Sequence, residues 1–353
     1  MQPRRNATTL LRSARTAWAI SPLGPGVEPV HETPSTVLYE KPHALVRRIA
    51  PAAAQSGNPV LLVTPLAVPV SCWDLRPGQS LAAHLASTRP TYTIDYGDIT
   101  FADRAMGFEH WVDGILPEAV RRIADEHDAP VHLVGWSLGA SMSLMLGAHL
   151  PNLPIASITG LAAPIDYRRT GTYAPLFAVG DTVGLTPLLA TTKLAGGAPA
   201  VATRLAYRWL SPMRELTKPW TLLTNLDQPE TLARIEATDR FTSSMPGYPA
   251  RLLNQSIAVL THGRAFMHGE VRLTDDLTIR TRDLALPTLL IGSTSDAIAH
   301  ADSVRAGLEA FPKAKVEFIE VDGFSHLGIV ASPRASEVVW PALDRHLAAT
   351  DRA

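Results

Sequence analysis

Apolar runs recur along the chain at intervals that a buried parallel sheet would produce. "PVLLVTPLAVP" (59–69) is continuously apolar and ends at prolines, the look of a strand covered on both faces. Further short runs follow: "TYTIDYG" (91–97), "PVHLVGW" (130–136), "PIASITGLAAP" (154–164), "LPTLLIGS" (286–293) and "KVEFIEVDG" (315–323). Between most of them lie stretches of helical period, such as "HWVDGILPEAVRRIADEH" and "SMSLMLGAHL". Alternation of this kind predicts βαβ units and an α/β fold. Ahead of it, "STVLYEK" and "HALVRRIAP" read as a strand pair turning near Lys41-Pro42.

The alternation breaks between Ile165 and Asp283, where Thr, Pro, Leu and Trp are frequent. The helix-like pieces "PAVATRLAYRWL" and "PETLARIEATDRF" are not separated by strands there. Lying between two sheet strands, this interval reads as a cap inserted over one end of the sheet. The expected organisation is an N-terminal arm over 1–34, a core over 35–164 and 284–353, and a cap over 165–283. The arm "MQPRRNATTLLRSARTAWAISPLGPG" has four arginines and no acid, and Arg12 and Arg15 interrupt any apolar centre. It reads as loose or amphipathic, and contact with a membrane or partner is the alternative.

Composition narrows the function classes. Of the 353 residues, 46% are hydrophobic and 18% charged, which supplies a sizeable core. Lys and Arg (32) balance Asp and Glu (33), so no basic field for nucleic acid is implied. The single cysteine, Cys72, excludes an intrachain disulfide and fits a cytoplasmic setting. No His/Asp/Glu spacing suggests a metal site, and no glycine-rich loop follows the first strand, so no cofactor is expected. His262 and His268, six apart, do not share a helix face. The oligomeric state stays open, a homo-oligomer included.

Chemistry concentrates at "PVHLVGWSLGASM" (130–142). Here Gly-Trp-Ser-Leu-Gly directly follows a buried-looking strand, and Gly139, Ala140, Ser141 and Ser143 are small enough for a helix to pack tightly after it. A serine on such a strand-to-helix turn is a nucleophile elbow, with Gly135 and Gly139 relieving crowding; the plain alternative is a helix cap. A serine hydroxyl needs a histidine base and a carboxylate to orient it. Asp296, in "LLIGSTSDAIAHADS", and His326, in "FIEVDGFSHLGIV", follow Ser137 in the order Ser, acid, His, each in a loop after an apolar strand. Asp302 reads as helical and Asp322 lies close in sequence to His326, so neither displaces Asp296. The oxyanion donors expected are the backbone N–H of Leu138 and that of Leu66 or Ala67, because Pro65 and Pro69 have none. Trp136, beside the serine, is a candidate substrate contact.

Together with these residues, "LLVTPLAVPVSCWDLRPGQSL", carrying Asp74-Leu75-Arg76-Pro77, and "ATDRFTSSMPGYPARLLNQ" make the chain resemble the polyhydroxyalkanoate synthases within the α/β-hydrolase superfamily. The resemblance covers about residues 35–340 and is weakest over 165–235. It implies an α/β-hydrolase fold, a mostly parallel central sheet flanked by helices with a helical cap. The synthases carry cysteine where this chain has Ser137, and a Trp-Asn pair where it has Glu236 and Ala237. A cysteine exchanges one thioester for another and keeps the acyl group activated, whereas a serine ester is lower in energy. Hydrolysis or single transfer is therefore expected over processive polymerisation. Cys72 lies outside the elbow and reads as a small packing residue.

Three readings result. The first is a serine hydrolase of carboxylic esters or thioesters with a small-molecule acyl substrate, for which an apolar cap bearing Trp209 and Trp220 suggests a hydrophobic acyl group. The second is an acyltransferase using the same triad. The third is a non-catalytic binding protein on a hydrolase fold.

Overall fold

A computed structural model describes residues 13, 15–19, 24–209 and 212–351, without the side chains of 209 and 212–215. Eight strands form the central sheet: β1 (Ser35–Lys41), β2 (Ala44–Ile49), β3 (Val60–Val63), β4 (Thr91–Asp95), β5 (Val131–Trp136), β6 (Ile155–Leu161), β7 (Thr288–Ser293) and β8 (Val316–Val321). Their order is β1-β2-β4-β3-β5-β6-β7-β8. From β4 onward every pairing is parallel, while β1 and β2 are antiparallel additions at one edge. This order and these crossovers constitute the α/β-hydrolase fold. All six apolar runs and the leading hairpin are strands of this sheet.

Burial explains the sequence pattern. The central strands β3, β5, β6 and β7 are buried at every position, so they carry no polar alternation. Strand β8, at the edge, is only partly covered and reads "VEFIEV". Helix α1 (Leu81–Ala86) starts at Ser80, whose hydroxyl accepts the Ala83 N–H at 3.0 Å. Helix α2 (Leu116–His127) has Pro117 in its first turn, a buried stripe through Val120 and Ile123, and a left-handed stop at Asp128. Helix α3 (Leu138–His149) is buried on almost all sides and correspondingly has no polar face. The C-terminal helix α10 (Pro333–Thr350) opens on the Ser332 cap and packs Val339, Trp340 and Leu343 inward.

Among the described residues the cap adds no strand to the central sheet. Its described α-helices of six residues or more are α4 (Ala174–Thr182), α5 (Thr186–Leu194), α6 (Ala200–Trp209), α7 (Pro212–Thr224), α8 (Pro229–Ser243) and α9 (Ala250–Gln255). The two helical pieces read from the sequence are α6 and α8. Helices α4, α5 and α7 were hidden by their prolines: Pro175, Pro187 and Pro212 start helices rather than ending them.

The loose arm read over 1–34 does not extend to residues 24–34; its first residues, 1–12, lie outside the described ones. Asp74 accepts the Thr33 N–H at 2.6 Å and lies 3.0 Å from His31. Arg76, 5% exposed, donates to Glu28 and also to Glu230 of α8 at 2.6 and 3.0 Å. Glu236 of α8 accepts the Val27 N–H at 2.7 Å. The Asp-Leu-Arg-Pro element thus clamps arm, cap and core together. Among the described residues, no single helix is long and apolar enough to cross a membrane.

At the foot of the sheet, far from the strand ends that carry the loops named above, His132 is wholly buried. It bonds Ser157 Oγ at 2.8 Å through Nδ1 and Asp351 at 2.9 Å through Nε2; Arg89 also holds Asp351. Burial lowers the His132 pKa to about 4, with nearby Arg89 adding to the fall and Asp351 opposing it. An imidazole depressed in the folded state leaves the protein fully stabilised above the unfolded value of about 6.5, with stability lost as pH falls toward about 4. The loss expected from this one group is about 3 kcal/mol. Urea midpoints measured between pH 7 and 4.5 should fall, and His132→Gln should flatten that slope.

Candidate active site

Strand β5 delivers the chain to Ser137, whose φ of 52° and ψ of −121° belong to no regular structure, and α3 begins at the next residue. A non-glycine residue held at such angles stores backbone strain, and the surroundings impose it. The Ser137 N–H donates to Leu161 O at the end of β6 (2.9 Å). A Cβ at Gly135 would lie 2.5 Å from Ala140 backbone atoms, and one at Gly139 would lie 2.1 Å from Val63 O. The two glycines of the motif therefore let α3 pack against both its own strand and the end of β3. The serine, half-buried, stands at the turn.

Close packing at Gly139 also brings the loop after β3 beside the start of α3. In that loop Leu66 and Ala67 are buried, and Ala67 has φ 59°. Thr64 fixes its root, donating to Ile94 O (2.7 Å) while accepting the Trp73 indole N–H (3.1 Å). Among the described residues, none of the N–H groups of Leu66, Ala67 and Leu138 donates to another backbone carbonyl outside regular structure.

The loops after β7 and β8 bring Asp296 and His326 together. His326 Nδ1 lies 2.7 Å from Asp296 Oδ2. The other carboxylate oxygen accepts the N–H groups of Ile298 (2.8 Å) and Ala299 (3.1 Å). Asp296 thus holds the turn at Ile298 and Ala299 with one oxygen and faces His326 with the other. Burial by itself would raise this carboxyl, but His326 and the two N–H donors outweigh it and hold the pKa below the ordinary carboxylate value. Asp296 consequently stays ionised. Asp322 is engaged elsewhere, accepting from Thr294 and Ser295, and Asp302 is in the first turn of a short helix.

Trp136 is 1% exposed and does not line the cavity described next. Its indole N–H donates to His326 O at 3.1 Å, and its ring packs 5.1 Å from the imidazole and 6.3 Å from Phe241 of α8. It supports His326 from behind and links it to the cap. Cys72 is buried, and that burial pushes its thiol pKa up, away from reactivity. His262 bonds Asp181 at 3.0 Å on the cap, while His268 is exposed. Trp220 is 72% exposed, so it is no wall of an inner cavity; the Trp209 side chain lies outside the described residues.

A cavity of about 530 Å³ opens on His326 and is roofed by the cap. Leu75, Gln79 and Leu327 line it from the core, and Tyr207 and Thr221 from α6 and α7. Thr231, Arg234, Ile235 and Thr238 of α8 line it at i, i+3, i+4, i+7 spacing, one helix face. Ser137 is not among the lining residues, and among the described hydrogen bonds none joins its hydroxyl to His326. Within the described residues, no group of three or more His, Cys, Asp or Glu is placed to hold a metal.

No family model matches the chain. Over 323 residues it is 23% identical to the poly(3-hydroxyalkanoate) polymerase subunit PhaC of Allochromatium vinosum, spanning 89% of this chain and 88% of that protein. Similar solved structures include an esterase, RhEst1, from a Rhodococcus species (14% identity, TM-score 0.48, 92% of this chain and 100% of that one). Another is the enol-lactonase of Burkholderia xenovorans (14% identity, TM-score 0.44, 89% and 100%).

Proposed function

We propose that this chain is a serine-dependent hydrolase cleaving carboxylic ester or thioester bonds of a hydrophobic acyl substrate. The observation that carries the reading is the strained backbone of Ser137 at the junction of β5 and α3, a conformation that a mere helix cap does not require. His326, held through Nδ1 by ionised Asp296, keeps Nε2 free as proton acceptor. With substrate bound, the Ser137 hydroxyl turns toward Nε2 and attacks the carbonyl. Its proton passes to His326, and the oxyanion meets the N–H of Leu138 and that of Leu66 or Ala67. His326 then protonates the leaving alcohol or thiol, and water, deprotonated by the same imidazole, releases the acid from the acyl-enzyme.

A second reading is single acyl transfer to an alcohol, supported by the similarity to the polymerase subunit over most of both chains. The two differ only in what attacks the acyl-enzyme.

The test is labelling by a fluorophosphonate probe beside turnover of p-nitrophenyl esters and acyl-coenzyme A. Ser137→Ala is expected to abolish labelling and lower turnover roughly 10⁴-fold or more. Folded wild-type protein that takes no label and turns over no ester would overturn the proposal. Product partitioning toward ester when alcohol is added would select transfer.

A further inference from the structure

The cavity beside His326 contains one charged side chain that no ion pair holds. Among its described lining residues Arg234 is the only Asp, Glu, Lys or Arg, and apart from the Gln79 amide and the His326 imidazole the other walls are apolar or hydroxylic. Every carboxylate of its own helix is engaged elsewhere: Glu230 with Arg76, Glu236 with the Val27 N–H, and Asp239 with Lys218 at 2.7 Å. Glu230, one turn away at i−4, is the natural partner of Arg234, yet it is turned outward to the clamp. Arg76 holds it by two hydrogen bonds. From the core side, Asp296 is spent on His326 and Asp322 on the Thr294 and Ser295 hydroxyls. Among the described residues Arg234 makes no ion pair; its one hydrogen bond is a long contact to Thr231 Oγ1 at 3.4 Å.

We infer that Arg234 is a specificity determinant that binds an anionic group on the substrate, a carboxylate or a phosphate. A half-buried guanidinium with most of its planar donors unused beside apolar walls is matched by such an oxyanion and by little else. The substrate class is thus an acyl ester or thioester carrying a negative charge at a distance from the scissile bond. The charge sits either on the leaving group or at the far end of the acyl chain. This inference rests on Ser137 and His326 being the reacting pair.

Four matched substrates decide it: p-nitrophenyl butyrate and butyryl-N-acetylcysteamine are neutral, butyryl-coenzyme A is anionic in its leaving group, and mono-p-nitrophenyl glutarate is anionic in its acyl end. Wild type is expected to prefer one anionic substrate over its neutral match by about tenfold or more in kcat/KM. Arg234→Gln should remove that preference, mainly through KM, Arg234→Lys should keep part of it, and Arg272→Gln, an equal loss of charge outside the cavity, should not alter it. Whichever anionic substrate responds identifies the source. Calorimetric titration of coenzyme A and of glutarate into Ser137→Ala and into Ser137→Ala/Arg234→Gln reads binding without turnover. Tenfold weaker binding in the double variant supports the anion site even if Ser137 proves not to be the nucleophile. An anionic-to-neutral ratio and an affinity both insensitive to Arg234→Gln overturn it, while neutral-ester cleavage by Ser137 would leave the hydrolase reading standing.

Discussion

Asparagine at position 296 is expected to lower kcat for ester cleavage about 10³- to 10⁴-fold while leaving the thermal midpoint within about 2 °C of wild type. The two halves of that expectation come from the two oxygens of Asp296. Oδ1 accepts the N–H groups of Ile298 and Ala299, and an amide oxygen can accept them equally well, so the turn keeps its cap. Oδ2 faces His326 Nδ1 at 2.7 Å, and there asparagine presents an NH2. That donor can be met only if His326 carries its proton on Nε2, the nitrogen that must accept from Ser137. The variant therefore traps the wrong tautomer without disturbing packing. Asp296→Ala removes both functions and should lower activity and melting temperature together. Steady-state kinetics and a thermal melt on each variant separate the two roles, and an asparagine variant within tenfold of wild-type kcat would remove Asp296 from the mechanism.

Gly139→Ala should destabilise the fold by about 4 kcal/mol or more, seen as a melting temperature lower by roughly 10 °C or as failure to accumulate in soluble form. The added methyl would lie 2.1 Å from the carbonyl oxygen of Val63 and 3.1 Å from Thr64 C. Those are backbone atoms of a central strand and the first residue after it, and neither can move aside as the end of a flexible side chain would. To admit the methyl, α3 must lift off β3, which also separates Leu138 from the loop of Leu66 and Ala67. Gly171→Ala serves as the control: nothing lies within 4 Å of its Cβ position, and a change within about 2 °C is expected. If the two variants melt alike, the close approach at the elbow has been misjudged.

Legibility in the sequence followed burial. Strands such as "PVLLV" and "TLLIG" announced themselves because both faces are covered and every side chain must be apolar. Their order in the sheet was constrained by the right-handedness and shortness of βαβ connections. The elbow was readable because two glycines, a serine and a run of small residues are needed where a helix packs onto its own strand. The loops that bring Asp296 and His326 together were readable from their positions after apolar strands. The cap was not. Pro175, Pro187 and Pro212 signal helix ends and helix starts with the same letter, and the decision between them rests on which residues pack behind.

What the sequence determined by itself, then, is the local and the periodic: the α/β class, the parallel sheet, the sharp turn at Ser137, and the pairing of residue types that such a turn can use. Tertiary structure decided everything that depends on competition between distant groups. Trp136 became a support for His326 because Phe241 of the cap closes over it. Arg76 draws Glu230 away from Arg234, although Glu230 and Arg234 are neighbours on one helix and Arg76 is 154 positions from Glu230. Spacing along a chain specifies which partners are within reach, but burial and the geometry of the third group determine which bond is made, and those exist only once the chain has folded.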